Sequence, residues 1–321
     1  MFRYFVRRVL WAVVLFVAVT FVTFIIFFLI PADPAKLACG QRASATCIRL
    51  TEHTLGLDRP VPVQYARFLW RLVGHQSLGI SFVTRQSVNQ TVLNAAPVTA
   101  SLVLGGMLVM LLIAFPIGIY SGLRPRTKID RAAMTFAIAG VSLPSFWVGL
   151  VLAYLVGFRL GWTPITGYCD FVNPSTDCGG PVQWSYHLLL PWITFGMLSS
   201  ALYVRMIRAN VLEASAEDYV RTARAKGAPE RQVITGHVLR NALLPVVTIF
   251  GMDLGLALGG AIFLESVFSL PGLGQTALNS LASFDLPVTM GVVIFGTLAI
   301  IVFNLVVDLL YAVIDPRIRL A

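Results

Sequence analysis

The chain has 321 residues, of which 57% are hydrophobic and only 12% charged, where a soluble domain carries about 25% charged residues. The net charge of +9 would suit a nucleic-acid partner in a soluble protein. Here the basic residues sit at the ends of apolar runs, and no basic patch interleaved with aromatic residues occurs. Nucleic acid is therefore excluded as a partner, and lipid is the expected one.

A bilayer core needs roughly 20 apolar residues as a helix. Six segments reach that length: residues 9–30, 98–122, 132–158, 188–207, 242–264 and 288–310. The expected fold is all-α and polytopic, with six transmembrane helices. The first apolar run exceeds the roughly 7–15 residues of a signal-peptide core and no A-x-A site follows it, so it reads as a retained helix. The polar, mixed segment 31–97 comes next, with a short helix expected around 62–73. An organisation follows: 1–30 as an N-terminus and first span, 31–97 as an extracytoplasmic segment, and 98–321 as a five-helix core.

Most of the 24 basic residues fall on one side if the N-terminus is inside: Arg3, Arg7 and Arg8; Arg124, Arg126, Lys128 and Arg131; Arg205, Arg208, Arg221, Arg224, Lys226, Arg231 and Arg240; Arg317 and Arg319. Both termini are then cytoplasmic. The second outer segment, 159–186, is rich in Gly, Pro, Asn, Ser and Thr and reads as irregular. The third, 265–286, contains "LPGLG", a turn signal expected to fold back as a short re-entrant element.

All four cysteines fall outside, Cys39 with Cys47 in one loop and Cys169 with Cys178 in the next. They are either unrelated small residues or two local disulfides of an oxidising compartment. A metal site is disfavoured, because the spacings are not C-x-x-C and no histidine lies in a matching frame.

The longest polar stretch runs between the fourth and fifth spans, within a cytoplasmic loop at 209–241. A helix is expected over 213–226. Glu213, Glu217 and Asp218 crowd its start and Arg221, Arg224 and Lys226 its end, an order that complements the helix dipole. Gly227 supplies the residue best able to take the left-handed position after the helix. Pro229 can then open a second helix over 229–240. Such an elbow is expected to bury little of itself. It is either a solvated loop or a docking element for a cytoplasmic partner.

In the fifth span Gly251, Gly255 and Gly259 recur every four residues, a stripe that lets another helix approach. Asp253 lies about 200° around the helix from Gly251. It is either bonded to a neighbouring Ser or Thr or lines a polar path. Asn304 and Asp308 share a face of the last span and suit helix–helix bonding. No G-x-S-x-G, H-E-x-x-H or Walker A motif is present, and Asp253 and Asp308 differ in expected depth, so no enzyme is expected.

"DYVRTARAKG" (218–227) followed by "HVLRNALLP" (237–245) resembles the cytoplasmic loop of permeases of the bacterial dipeptide/oligopeptide ABC importer family. "FVRRVLWAV", "IPADP", "LGLDRPVPVQYARFL", "SLGISF", "LPSFWVGL", "LESVFSLPGLG" and "FNLVVDLLYAVIDPRIR" extend the resemblance over nearly the whole chain. Arg221, Thr222 and Ala223 stand where the general importer pattern has E-A-A, and Gly227 is the loop glycine. Arg221 in place of Glu, and the distant Leu-Pro, are similar to the peptide-importer branch. The acid that usually precedes "SLG" is here Ser77.

The resemblance implies a type I importer permease in the bacterial inner membrane. Tyr219, Arg221, Thr222, Ala223, Arg224, Lys226 and Gly227 would couple it to cytoplasmic ATPases. It implies as partners a second homologous permease, two ATP-binding cassette subunits, an extracytoplasmic solute-binding protein and a peptide substrate. ATP and Mg would sit on the partner ATPases, and this chain would hold no cofactor or metal and hydrolyse nothing. The rival reading is a stand-alone ion-coupled secondary transporter, which would need inverted repeats or broken helices with ionisable groups at the midplane.

Overall fold

A chain this apolar must satisfy its backbone hydrogen bonds internally, and helices do so within one segment. A computed structural model describes residues 2–29, 34–39, 44–55, 59–172, 178–258 and 261–314. Among these residues there is no strand, only two isolated bridges, Ile80 with Ser87 and Asp170 with Gly179. The helices are α1 (Phe2–Phe24), α2 (Pro34–Cys39), α3 (Ala45–Leu55), α4 (Val61–Gly74), α5 (Val88–Leu123), α6 (Lys128–Ser142), α7 (Ser145–Leu152), α8 (Pro181–Ala216), α9 (Asp218–Ala225), α10 (Glu230–Val233), α11 (Leu239–Ala242), α12 (Leu244–Leu258), α13 (Ile262–Val267), α14 (Leu273–Ala282) and α15 (Leu286–Ile314). π-Helical turns continue α1 over Ile25–Leu29 and α7 over Ala153–Arg159, and join α10 to α11 over Ile234–Val238.

Among the described residues four helical stretches are long and apolar enough to cross a membrane: Val6–Phe27, Val88–Leu123, Pro181–Ala216 and Leu286–Val306. Two bent pairs bring the number to six if each pair is one span. This corrects the continuous helices expected over 132–158 and 242–264. The first pair bends by 105° between Ser142 and Ser145. Pro144 has no N–H to donate and pushes Leu143 into extended backbone, φ −92° and ψ 132°. The second pair bends by 44° between Ala242 and Leu244. At its far end α12 stops at Leu258, and α13 starts at Ile262.

The chain divides into two compact units. One comprises Met1–Thr99, Gly255–Glu265 and Pro271–Ala321, the other Ala100–Leu254 and Ser266–Leu270. In the first unit α1 packs on α15. Phe24 and Phe68 are buried with Met290 and Ile294. A helix does occupy the 62–73 region, as α4, and Tyr65 ties it to α1 by donating to the Val17 carbonyl at 2.9 Å. Val88, Val92 and Ala95 of α5 pack with Leu273, Val288 and Val292.

Two buried carboxylates that the sequence reading passed over hold the turns of this unit. Glu265 is fully buried. It accepts from Thr99 Oγ1 at 2.7 Å and from the Gln275 N–H at 2.9 Å. Thr99 Oγ1 in turn accepts from the Leu273 N–H at 2.8 Å. Gly272 lies so close that any side chain there would strike the Glu265 carboxylate. "LPGLG" is therefore wrapped around an acid, which supplies the partners its buried backbone N–H groups need. Asp285 accepts from the Ser81 hydroxyl and from the Phe82 N–H at 3.0 Å, fastening "SLGISF".

In the second unit small residues let α5 and α8 meet backbone to backbone. A Cβ on Gly196 would lie 2.9 Å from the Gly106 carbonyl, and one on Gly118 would lie 2.8 Å from Ile207 Cβ. Close approach of this kind supports helix packing in lipid, where apolar burial gives little drive. The expected stripe at Gly251, Gly255 and Gly259 is only partly described. Gly251 and Gly255 are buried, and a Cβ on Gly255 would stand 3.3 Å from the Ile300 Cα. Gly259 lies outside the described residues. Asn304 Oδ1 is buried without a hydrogen-bond partner among the described residues, and the Asp308 side chain lies outside them.

Candidate functional site

The polar elbow is a short helix, a left-handed turn and a second helix. It begins later than expected: α8 runs on through Glu213 to Ala216, and Glu217 breaks the chain with extended backbone, φ −67° and ψ 148°. Glu213 therefore belongs to α8. Asp218 alone is acidic in the first turn of α9, and Arg224 is basic in its last turn.

The turn has the left-handed geometry that Gly227 was expected to supply, with φ +79°. The Gly227 N–H donates to the Arg224 carbonyl at 3.0 Å, and the Ala228 N–H reaches back to the Ala223 carbonyl at 3.2 Å. This pair of bonds is the Schellman arrangement, which satisfies carbonyls a helix end leaves open. Pro229 then caps α10 in extended backbone, where a missing N–H costs nothing.

The elbow buries more of itself than its polarity suggested. Val220, Val233 and Val238 are fully buried and Ala223 nearly so. The spacing supplies an inner face: Val220 and Ala223 are three apart on α9, while Val233 and Val238 are five apart across the π-helical turns. Outside the apolar seam, Asn241 Nδ2 donates to Tyr219 Oη at 3.0 Å. Asn210 Nδ2 of α8 donates to the Ala242 carbonyl at 3.2 Å. The elbow is thus a folded element rather than a solvated loop.

Its outer face carries Tyr219, Arg221, Thr222, Arg224, Lys226 and Gly227, all exposed. Ala223 is the exception among the expected coupling residues, since it faces inward. Thr222 Oγ1 donates to the Asp218 carbonyl at 2.9 Å. Arg221 stands 3.9 Å from Asp218 with both side chains in solvent, a geometry worth little. Arg224 makes a two-pronged contact with Glu230, at 2.7 and 3.2 Å. Those hydrogen bonds hold its guanidinium above the ordinary arginine range, against a smaller lowering by desolvation. The sequence reading missed Glu230. The signal was an acid at the first position after Pro229, where the dipole favours one.

At the base of the elbow, Arg208 of α8 grips Asp130 of α6, with Nη2 donating to Oδ2 at 3.0 Å. Asp130 is buried. The Arg126 N–H donates to its carboxylate at 2.8 Å, and the Asp130 N–H donates to Thr127 Oγ1 at 3.3 Å. "T-x-x-D" ahead of an apolar run is a capping signature that the sequence carried.

Among the described residues Asp253 meets a tyrosine rather than a Ser or Thr. Its Oδ2 accepts from the Tyr203 hydroxyl at 2.7 Å. Tyr203 is buried on α8, while Asp253 is half-buried on α12.

Both cysteine pairs are joined in the structure, Cys39 to Cys47 between α2 and α3, and Cys169 to Cys178 beside the start of α8. A histidine that the sequence spacing excluded stands at the second pair. His187 lies in the opening turns of α8, with Nδ1 at 3.2 Å from Cys169 Sγ. The Asp170–Gly179 bridge folds the loop back onto the helix and makes the two neighbours.

The family described as the binding-protein-dependent transport system inner membrane component matches residues 114–320, and its N-terminal companion matches residues 1–103. A putative peptide transport system permease protein of Brucella abortus is 36% identical over 98% of this chain and 98% of its own length. The di/tripeptide transport system permease protein DppB of Pseudomonas aeruginosa is 37% identical over 99% of each chain. The dipeptide transport system permease protein DppB of Escherichia coli K12 is 36% identical over 99% of each. A solved amino acid ABC transporter with histidines matches with a TM-score of 0.48 and 15% identity, over 71% of this chain and 94% of its own.

Proposed function

Because this chain belongs to the family of binding-protein-dependent transport system inner membrane components, we propose that it is a transmembrane permease subunit of an ATP-driven peptide importer. The observation that carries this reading is identity over the full length to permeases named for dipeptides and di/tripeptides. The chain forms one half of a translocation pathway and pairs with a second, homologous permease. Two cytoplasmic ATPases bind ATP and Mg, and an extracytoplasmic binding protein delivers the peptide. Alternating access then follows from nucleotide binding elsewhere in the assembly.

The folded elbow suits the docking role. A lever must transmit force without bending, and the buried Val220–Val233–Val238 seam, the Arg224–Glu230 pair and the glycine turn make this one stiff. With Arg224 engaged by Glu230, the outward basic charge comes from Arg221 and Lys226. These suit an acidic or carbonyl-lined groove.

The assembled complex in proteoliposomes is expected to take up labelled dipeptides only with ATP and the binding protein. Uptake driven by an ion gradient without ATP would favour the stand-alone secondary transporter and end this reading.

The distribution of basic residues supports a reading in which the elbow and both termini lie in the cytoplasm. Reporter fusions at Thr127 and Pro229 are expected to read as inside and one at Asn279 as outside. A cytoplasmic signal at Asn279 would break this topology.

For Asp253 the reading is a polar residue on the path, positioned by Tyr203. Asp253→Leu is expected to impair uptake while the complex assembles and retains ATPase activity. A loss of assembled complex in both Asp253→Leu and Tyr203→Phe would make the pair structural instead. Normal uptake by the leucine variant would remove both roles.

A further inference from the structure

We propose that α4 is docked on lipid rather than bathed by water: Val63, Ala66, Trp70 and Val73 lie in the acyl chains of the outer leaflet, and Arg67 with Arg71 holds the phosphate of a phospholipid. The helix is anchored at membrane depth. Tyr65 Oη donates to the Val17 carbonyl at 2.9 Å and stands 3.0 Å from Thr20 Oγ1. Phe68 packs with Phe24, Met290 and Ile294, and Leu72 packs against the same cluster. Val17, Thr20 and Phe24 belong to the apolar stretch Val6–Phe27, and Met290 and Ile294 to Leu286–Val306. Val17 lies about 15 Å along α1 from the Phe27 end of its stretch. Protein contacts of α4 therefore reach well below the rim of a core about 30 Å thick. The leaflet follows from the topology proposed above; the contact with lipid does not depend on it, nor on what the chain transports.

The face of α4 turned away from α1 is apolar. Val63, Ala66, Trp70 and Val73 recur every three or four residues and share one stripe. All four are exposed, Trp70 at 69% and Val73 at 68%. Beside them α1 exposes Val22 and Ile26 in the same half of its apolar stretch, so lipid already covers the neighbouring helix at this depth. The Trp70 ring meets His75, just past the end of α4, edge to face at 6.3 Å. An amphipathic ring at that end suits the boundary between acyl chains and headgroups.

Arg67 and Arg71 stand four residues apart beside the stripe. Like charges so placed destabilise a helix. Among the described residues neither guanidinium has a hydrogen bond or an ion pair. A phosphate diester supplies the missing anion, and the guanidinium fork matches its oxygens. The long stems let both charged ends reach headgroups while the stripe stays among acyl chains.

The test uses the full-length chain in nanodiscs of phosphatidylglycerol and phosphatidylethanolamine. Nitroxide labels are placed at Val63→Cys and Val73→Cys, exposed positions that leave the packed face intact, with the parent chain as the labelling control. Dioxygen, which partitions into acyl chains, is expected to relax both labels more than a water-soluble nickel chelate does. By native mass spectrometry, Arg67→Gln combined with Arg71→Gln is expected to lose one of the phospholipids that the parent chain retains. A Val73→Cys label in that variant is expected to stay in lipid, so the loss reports the phosphate contact and not a displaced helix. Stronger relaxation by the chelate at either label, or shielding that appears only when a soluble binding protein is added, would put water or a protein on the stripe and overturn the proposal. Equal phospholipid retention by the glutamine variant and the parent would overturn it as well.

Discussion

A Gly227→Val chain is expected to insert its spans, lose its grip on the ATPases and transport no peptide. Backbone geometry alone is the cause. No atom stands within 4 Å of where a Cβ on Gly227 would sit, so the valine meets no clash. Its φ of +79° is the obstacle. A left-handed backbone costs an L-residue about 1–2 kcal/mol, and a β-branched side chain is least able to adopt it.

The chain can escape that cost only by opening the turn. Opening breaks the bonds from Gly227 to Arg224 and from Ala228 to Ala223, and it moves Glu230 away from Arg224. The outer face of α9 then loses its fixed relation to α10. Co-purification of the ATPases and an uptake assay are the measurements. Gly227→Asn, which tolerates the left-handed region, is expected to retain most of both. A valine variant that keeps its ATPases and transports normally would show that this elbow is not the coupling element.

Arg208→Ala is expected to have the largest effect on stability. Asp130 is 5% exposed at its side chain and Arg208 24%. Removing one partner of a buried ion pair leaves the other charge uncompensated, which costs about 3–5 kcal/mol. The partial exposure of Arg208 admits water to the remaining carboxylate, so the lower end, about 3 kcal/mol, applies. The unfolding midpoint in detergent should fall and the yield of folded chain with it. Asp130→Asn combined with Arg208→Met is expected to be milder than Arg208→Ala, because no unpaired charge remains. A single variant as stable as the parent would show that water already compensates the carboxylate.

The same pair shows what could be read without coordinates. The Thr127–Asp130 spacing suits a helix start and was passed over in sequence, while nothing local to Asp130 pointed to Arg208, which lies far along the chain. Gly227 was legible because a left-handed turn needs a residue type that the sequence names. That Ala223 turns inward was not legible, since which face of a short polar helix turns inward depends on what it packs against. Here Val233 and Val238 decide it.

What the sequence determined by itself was the helical class, the apolar segments and the position of the elbow. These follow from period, length and turn chemistry, all of which act over a few residues. Where a span bends was only half visible. Pro144 marks one break, but the 105° angle goes with the packing of both α6 and α7 against α8 as well as the missing donor. The fully buried Glu265 and its partners Thr99 and Gln275 belong wholly to the tertiary structure, as do the Tyr203–Asp253 bond and the meeting of His187 with Cys169. A polar side chain in an apolar protein must find a partner, and that demand is visible in sequence. Which partner it finds is set by the close helix approaches that small residues such as Gly106 and Gly196 permit, and those exist only once the chain has folded.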